Sequence, residues 1–212
     1  MIADAEKHEY VRPFVHLGEQ LIAVCSYELG PGVPRPPEEL LAPPPPSDLH
    51  RRIEDKLPQP LRRLARSGLL DPRRSRPAAA ANAVDRLPDA VDDLGTRLMH
   101  GKSMEGGWQS AAGHFRVSLA NARGSATGGL LAVTDRRWLT LADTSPLWQL
   151  TPAMRQAWEA PRPAVAALRV NPRGVLQKGR MDLEFTDGSW IALLASVPAH
   201  AAPFAAEAAR YR

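Results

Sequence analysis

The sequence predicts an α+β protein that is mainly β, and three observations carry that expectation. Gly129-Leu-Leu-Ala-Val-Thr-Asp-Arg-Arg-Trp-Leu-Thr-Leu141 reads as strand, tight corner, strand. Met181-Asp-Leu-Glu-Phe-Thr-Asp-Gly-Ser-Trp-Ile-Ala-Leu193 reads as a hairpin closed by Thr186-Asp187-Gly188-Ser189. The alanine-rich tail from about Ala199 carries Phe204, Ala208 and Tyr211 at i, i+4 and i+7, the stripe of a helix that docks on a core.

Taken in order, residues 3–18 mix charge with Tyr10, Phe14 and His16 and are interrupted by Pro13, so a short helix or turn is expected. Gly18 to Leu29 has the chemistry of a strand through Leu21, Ile22, Val24 and Tyr27, and Gly30-Pro31-Gly32 ends it. Residues 31–47 are dominated by proline, including Pro43 to Pro46, and read as a polyproline II spacer that packs little; a ligand for a proline-binding groove is the alternative. Residues 48–105 look helical. Ile53 and Leu57 begin one apolar stripe, Pro60 suits a first helical position ahead of Leu61 and Leu64, and Gly68 suits a stop. Val84, Leu87, Val91, Leu94 and Leu98 then alternate by three and four like a coiled-coil seam, with Pro88 as a kink and Asp85, Asp89, Asp92 and Asp93 as an acidic outer face. His114 to Ala120 alternates, placing Phe115, Val117 and Leu119 on one side of an expected strand. Val165 to Val170 reads as a further strand, ended by the turn signal Asn171-Pro-Arg-Gly174. The chain thus divides into an N-terminal segment with the first strand (1–28), a proline-rich and helical insertion (29–107), and the remaining strands with the closing helix (108–212).

The 212 residues carry a formal charge of +4, and the basic excess is local. Between His50 and Arg76 stand Arg51, Arg52, Lys56, Arg62, Arg63, Arg66, Arg73, Arg74 and Arg76, against Glu54, Asp55 and Asp71. Such a strip favours phosphate-bearing or anionic surfaces. Arginine also exceeds lysine throughout, alongside abundant Ala, Pro and Gly, so a GC-rich coding sequence is a competing source of the strip. The strip contains no aromatic residue on which a base could stack, and no nucleic-acid reader motif accompanies it. Cys25 is the single cysteine and lies in an apolar run, which leaves no disulfide framework and no thiolate metal site. The N-terminus lacks the pattern of a signal peptide, and no apolar run approaches the roughly 20 residues of a membrane span. A cytoplasmic protein, with peripheral attachment at the inner membrane face as an option, is the expectation.

Antiparallel strands closed by one C-terminal helix are the order of the pleckstrin-homology (PH) superfold. Here Gly129 to Leu141 resembles the strand, Thr-[Asp/Asn]-x-Arg corner and strand of bacterial PH-like and GRAM-like domains. Leu183 to Ser189 is similar to their later hairpin, and Gly18-Glu19 to Cys25 resembles their opening strand. The match covers roughly residues 17–28 and 108–211. The resemblance implies an antiparallel β-sandwich or partly open barrel capped by the C-terminal helix, and a binding or scaffolding role toward proteins or membranes. At the corner formed by Thr134, Asp135, Arg136 and Arg137, Asp135 is expected to bond turn amides while the guanidinium groups point outward or onto Asp135. A salt-bridged turn staple is the favoured reading there, ahead of a ligand site; Asp187 and Gly188 mark the second turn.

No catalytic constellation is legible. His8, His16, His50, His100, His114 and His200 show no metal-ligand spacing. Ser125 and Ser189 lie in no nucleophile elbow. Gly124 to Gly129 lacks the lysine of a phosphate loop and leads into a strand. Asp182 and Glu184 share a strand face, with Arg180 and solvent as their expected surroundings. The sequence therefore points to a non-enzymatic module without cofactor or metal, binding a protein partner. Association with anionic membranes through Arg51, Arg52, Arg62, Arg63, Arg66, Arg73, Arg74 and Arg76 is the alternative, and nucleic acid is a weaker one.

Overall fold

The computed structural model describes residues 4–42, 101–122, 128–145, 151–173 and 177–210. The chain divides into two units, Met1–Leu41 with Thr96–Arg212, and Ala42–Gly95. All of the second unit except Ala42 lies outside the described residues, so the strands and helices below belong to the first. The arginine strip, the Pro43 to Pro46 run and the Val84 to Leu98 seam lie outside the described residues as well.

Eight strands form one antiparallel sheet: β1 (Leu21–Leu29), β2 (Met104–Glu105), β3 (Gly128–Thr134), β4 (Arg137–Asp143), β5 (Met154–Pro161), β6 (Val165–Val170), β7 (Arg180–Phe185) and β8 (Trp190–Ala195). Their order is β5-β4-β3-β1-β8-β7-β6, with β2 also paired to β8. β5 and β6 therefore lie at opposite edges, yet only Arg162–Ala164 joins them. So short a link spans no more than roughly 14 Å, which obliges the sheet to curl until its two edges approach. The Thr186 N–H bonded to the Ala164 carbonyl and the Arg162 N–H bonded to the Arg136 carbonyl stitch that meeting point.

Alternation along the strands gives each face its own apolar cluster. Inside the curl lie Ala23, Cys25 and Tyr27 of β1, Leu131 and Val133 of β3, Met181, Leu183 and Phe185 of β7, and Ile191 and Leu193 of β8. On the outer face Leu130, Ala132, Leu139 and Leu141 are covered by Val11, Tyr10, Phe14 and Val15, supplied by the helix α1 (Asp4–Val11) and the turn after it. The closing helix, α3 (Ala201–Arg210), buries Ala201, Phe204, Ala205 and Ala208, in agreement with its sequence stripe; Tyr211 lies outside the described residues.

Besides the end of the helical stretch expected over residues 48–105, where residues 101–103 are irregular and Met104–Glu105 form β2 on β8 instead, three expectations are corrected. Residues 114–120 are not a strand but part of a helix, α2 (Ala111–Ala122). Phe115 and Leu119, on one side of an alternating count, are also one helical turn apart, and with Ala112 they form the buried face of α2. Phe115 meets Trp158 edge-on at 4.8 Å between ring centres, and Trp158 meets Phe185 likewise at 6.0 Å. Gly113 in this helix is a close-approach residue: a Cβ there would fall 2.4 Å from the Gly107 carbonyl oxygen. Second, the strand expected from Gly18 begins at Leu21, because Gly18 takes the left-handed φ of +76° and turns Glu19 toward β4. Third, the first part of the proline-rich stretch does pack. Pro36 is buried, Val33 joins the inner cluster, and the Pro34 carbonyl accepts a bond from Arg116 Nε at 3.1 Å. Proline has little backbone freedom left to lose, so a small apolar gain suffices to fix it.

Candidate functional site

The first constellation is the corner between β3 and β4. The Thr134 hydroxyl accepts the N–H groups of Arg136 (3.2 Å) and Arg137 (2.9 Å) and donates to Glu19 Oε1 (2.6 Å). Asp135 departs from expectation, since Thr134 takes the turn amides; instead Asp135 and Gln20 exchange two bonds, Gln20 N–H to Asp135 Oδ1 (2.9 Å) and Asp135 N–H to the Gln20 carbonyl (3.0 Å). Arg136 stays exposed, 3.8 Å from Asp135, and donates to the Gly18 carbonyl. Arg137 departs from expectation: it points neither outward nor onto Asp135. It is buried, donating from Nε to Glu19 Oε1 (3.0 Å), from Nη2 to Glu19 Oε2 (3.2 Å) and the Phe14 carbonyl (2.7 Å), and from Nη1 to Glu159. Burial opposes ionisation of Glu19, but the bonds from Arg137, Thr134 and the His16 N–H outweigh it and hold its pKa at about 2. The Glu19 bond likewise raises the pKa of Arg137. Gly18-Glu19 and Thr134 to Arg137, far apart in sequence, are thus two halves of one staple.

The second constellation is the hairpin between β7 and β8. Its role, unread in the sequence, is to cap α2. Asp187 Oδ2 accepts the Ala111 N–H (2.7 Å), Ser189 Oγ accepts the Ala112 N–H (3.1 Å), and Ser110 Oγ accepts the Gly113 N–H (3.2 Å). The first three amides of the helix, which have no partner within it, are all satisfied, two of them from a remote turn. Gly188 makes that turn possible at φ +81°. The Ala111 bond, then the Ser189 hydroxyl, holds the Asp187 carboxyl below its usual range. Asp187→Ala is expected to cost about 1–2 kcal/mol in chemical denaturation, in line with lost helix caps. Because the folded-state pKa is depressed, the difference from wild type should be full at neutral pH and fade as pH falls below 3.8.

The third was read only in part: Arg180 stands beside Asp182 as expected, but the expected solvent is absent. Arg180 is completely buried and Asp182 is 7 % exposed, so neither faces solvent. Arg180 donates from Nε to Asp182 (2.8 Å), from Nη1 to Gln177 (2.8 Å) and from Nη2 to the Lys102 carbonyl (2.9 Å), and it lies 5.7 Å from the Trp190 ring centre. Asn171 completes the shell by donating to Asp182. Opposite charges two apart on one strand face are the available signal; what covers that face is not legible. Glu184 pairs with the exposed Arg169.

Between these networks the sheet has an interrupted strand. The Gly30 N–H bonds to the Ala192 carbonyl (2.9 Å), and the Ala192 N–H bonds to the Ser103 carbonyl (2.7 Å). Leu29 lies opposite Leu193, and Met104 opposite Ile191. β1 and β2 are therefore successive pieces along one edge of β8, with residues 31–102 leaving and returning on either side of a single residue. A Cβ at Gly30 would fall 2.8 Å from the Ala192 Cβ, so the tight crossing requires glycine. The two roots border an open cleft of about 430 Å³ lined by Gly32, Pro34, Lys102, Ser103, Met104, Gly106 and Trp108. Trp108, Met104 and Pro34 are half-buried, and Lys102 at the rim pairs with Glu105.

Among the described residues, no three His, Cys, Asp or Glu side chains gather closely enough to hold a metal ion, and no helix is long and apolar enough to cross a membrane. No protein-family model matches the chain, and no curated protein matches it.

Proposed function

We propose that the chain is a non-enzymatic, PH-like binding and scaffolding module that engages a protein partner around the roots of its insertion. The observation that carries the reading is the joint staple: Gly18-Glu19 and Thr134 to Arg137, the motifs that resemble bacterial PH-like and GRAM-like domains, lock onto each other. A curled antiparallel sheet closed by the C-terminal helix α3 supports the same assignment. Its charged side chains serve as structural ties: the buried Arg137 staples a corner, the exposed Asp187 caps a helix and the buried Arg180 holds a root. The cleft offers a partner a half-buried indole beside Met104 and Pro34 with a charged rim, a composition common where protein segments are held.

The second reading, attachment to anionic membranes, is favoured by the nine basic residues against three acidic ones between His50 and Arg76. Liposome flotation separates the two. The purified protein is expected to stay unbound with both neutral and anionic vesicles, at low and at moderate salt. Salt-sensitive flotation with anionic vesicles, lost when Arg62, Arg63 and Arg66 are changed to Glu, would reassign it to the membrane surface.

A further inference from the structure

We infer that Arg180 is a positioning residue for the two roots of the insertion, locking them to the sheet as one unit. The inference rests on the insertion's roots being the functional surface proposed above.

A guanidinium buried this completely needs all of its donor nitrogens satisfied, and three segments supply the acceptors. β7 contributes Asp182 and the β6–β7 turn contributes Gln177, but the third acceptor is the main-chain carbonyl of Lys102 in the returning root. That carbonyl precedes Ser103, whose own carbonyl accepts the Ala192 N–H and whose hydroxyl donates to the Pro31 carbonyl of the outgoing root at 2.5 Å. The outgoing root closes the loop through the Gly30 N–H on the Ala192 carbonyl. The path Arg180, Lys102, Ser103, Pro31, Gly30 and Ala192 thus ties both roots to β7 and β8. Lifting the returning root would break a charge-assisted bond, free Ala192 and release Pro31 together. A lysine at position 180 would keep the positive charge but lose the planar fork that reaches Asp182, Gln177 and Lys102 at once.

Amide hydrogen exchange on the full chain tests this without needing the partner, so a failure here is distinguishable from a failure of the partner assignment. In Arg180→Lys the amides of Gly30, Ala192 and Glu105 are expected to exchange about tenfold faster or more, while those of Leu131 and Leu139 in β3 and β4 keep their rates. Unchanged root amides in the folded variant would overturn the inference. Equal acceleration in both regions would also overturn it, because Arg180 would then serve only global stability. If the variant does not fold, the wild type in sub-denaturing urea decides: Gly30 and Ala192 should open together, ahead of β3 and β4. Rates for those two that differ by more than about tenfold would show independent roots and contradict the inference.

Discussion

Glu19→Ala is expected to destabilise the protein by about 3 kcal/mol, the lower end of the cost of removing one partner from a buried ion pair. The side chain of Glu19 is 1 % exposed and that of Arg137 is 10 % exposed. Its loss strands the guanidinium with the half-exposed Glu159 as its remaining carboxylate, which keeps the penalty from the top of the range. The Thr134 hydroxyl and the His16 N–H lose an acceptor as well. The effect must also depend on pH. The carboxyl's pKa falls from 4.5 to about 2 on folding, so its contribution is complete above 4.5 and is lost as pH drops toward 2. Urea denaturation of wild type and Glu19→Gln across that window should show the two midpoints converging as pH falls; a constant separation would mean that the Glu19 charge is not what Arg137 uses.

Phe115→Ala should cost about 3–5 kcal/mol, as expected for deleting a fully buried ring. Its ring fills the junction of α2, β5 and β7 through Trp158 and Phe185. The informative comparison is Val117→Ala. On a strand Val117 would share the buried face of Phe115, and its truncation would be expensive. On α2 it is half-buried, and alanine is the better helix former, so the net cost should be about 1 kcal/mol or less. Denaturant midpoints measured at constant slope give both values; comparable large losses at the two positions would contradict the helix.

These residues show where sequence is sufficient and where it stops. The β3–β4 corner, the β7–β8 hairpin, β1, β6 and α3 are legible because period and turn chemistry lie within a few neighbouring residues. Residues 114–120 mislead because Phe115, Val117 and Leu119 satisfy period two while Ala112, Phe115 and Leu119 satisfy the helical period. Deciding between them needs the caps, and two of the three come from Asp187 and Ser189 in a distant turn. The Thr134 to Arg137 corner is legible as a staple, yet the inward aim of Arg137 depends on Glu19, which folding alone brings beside it. Arg180 looks like an ordinary strand-face charge, since nothing local announces that the Lys102 carbonyl and Gln177 will seal it. The joining of Gly30 and Ser103 on Ala192 is likewise beyond reach, because that register spans the whole insertion.

A protein partner at the insertion's roots can be caught by a photo-crosslinking side chain placed at Trp108 in the full chain, in the cells that make it. His8 on α1, exposed and away from the cleft residues, serves as the control position. One discrete protein adduct is expected from position 108, still formed when irradiation follows lysis into about 0.5 M salt, where exposed charge pairing is largely screened, and none of that size from position 8. The same adducts from both positions, or adducts only to lipid, would contradict a protein partner there.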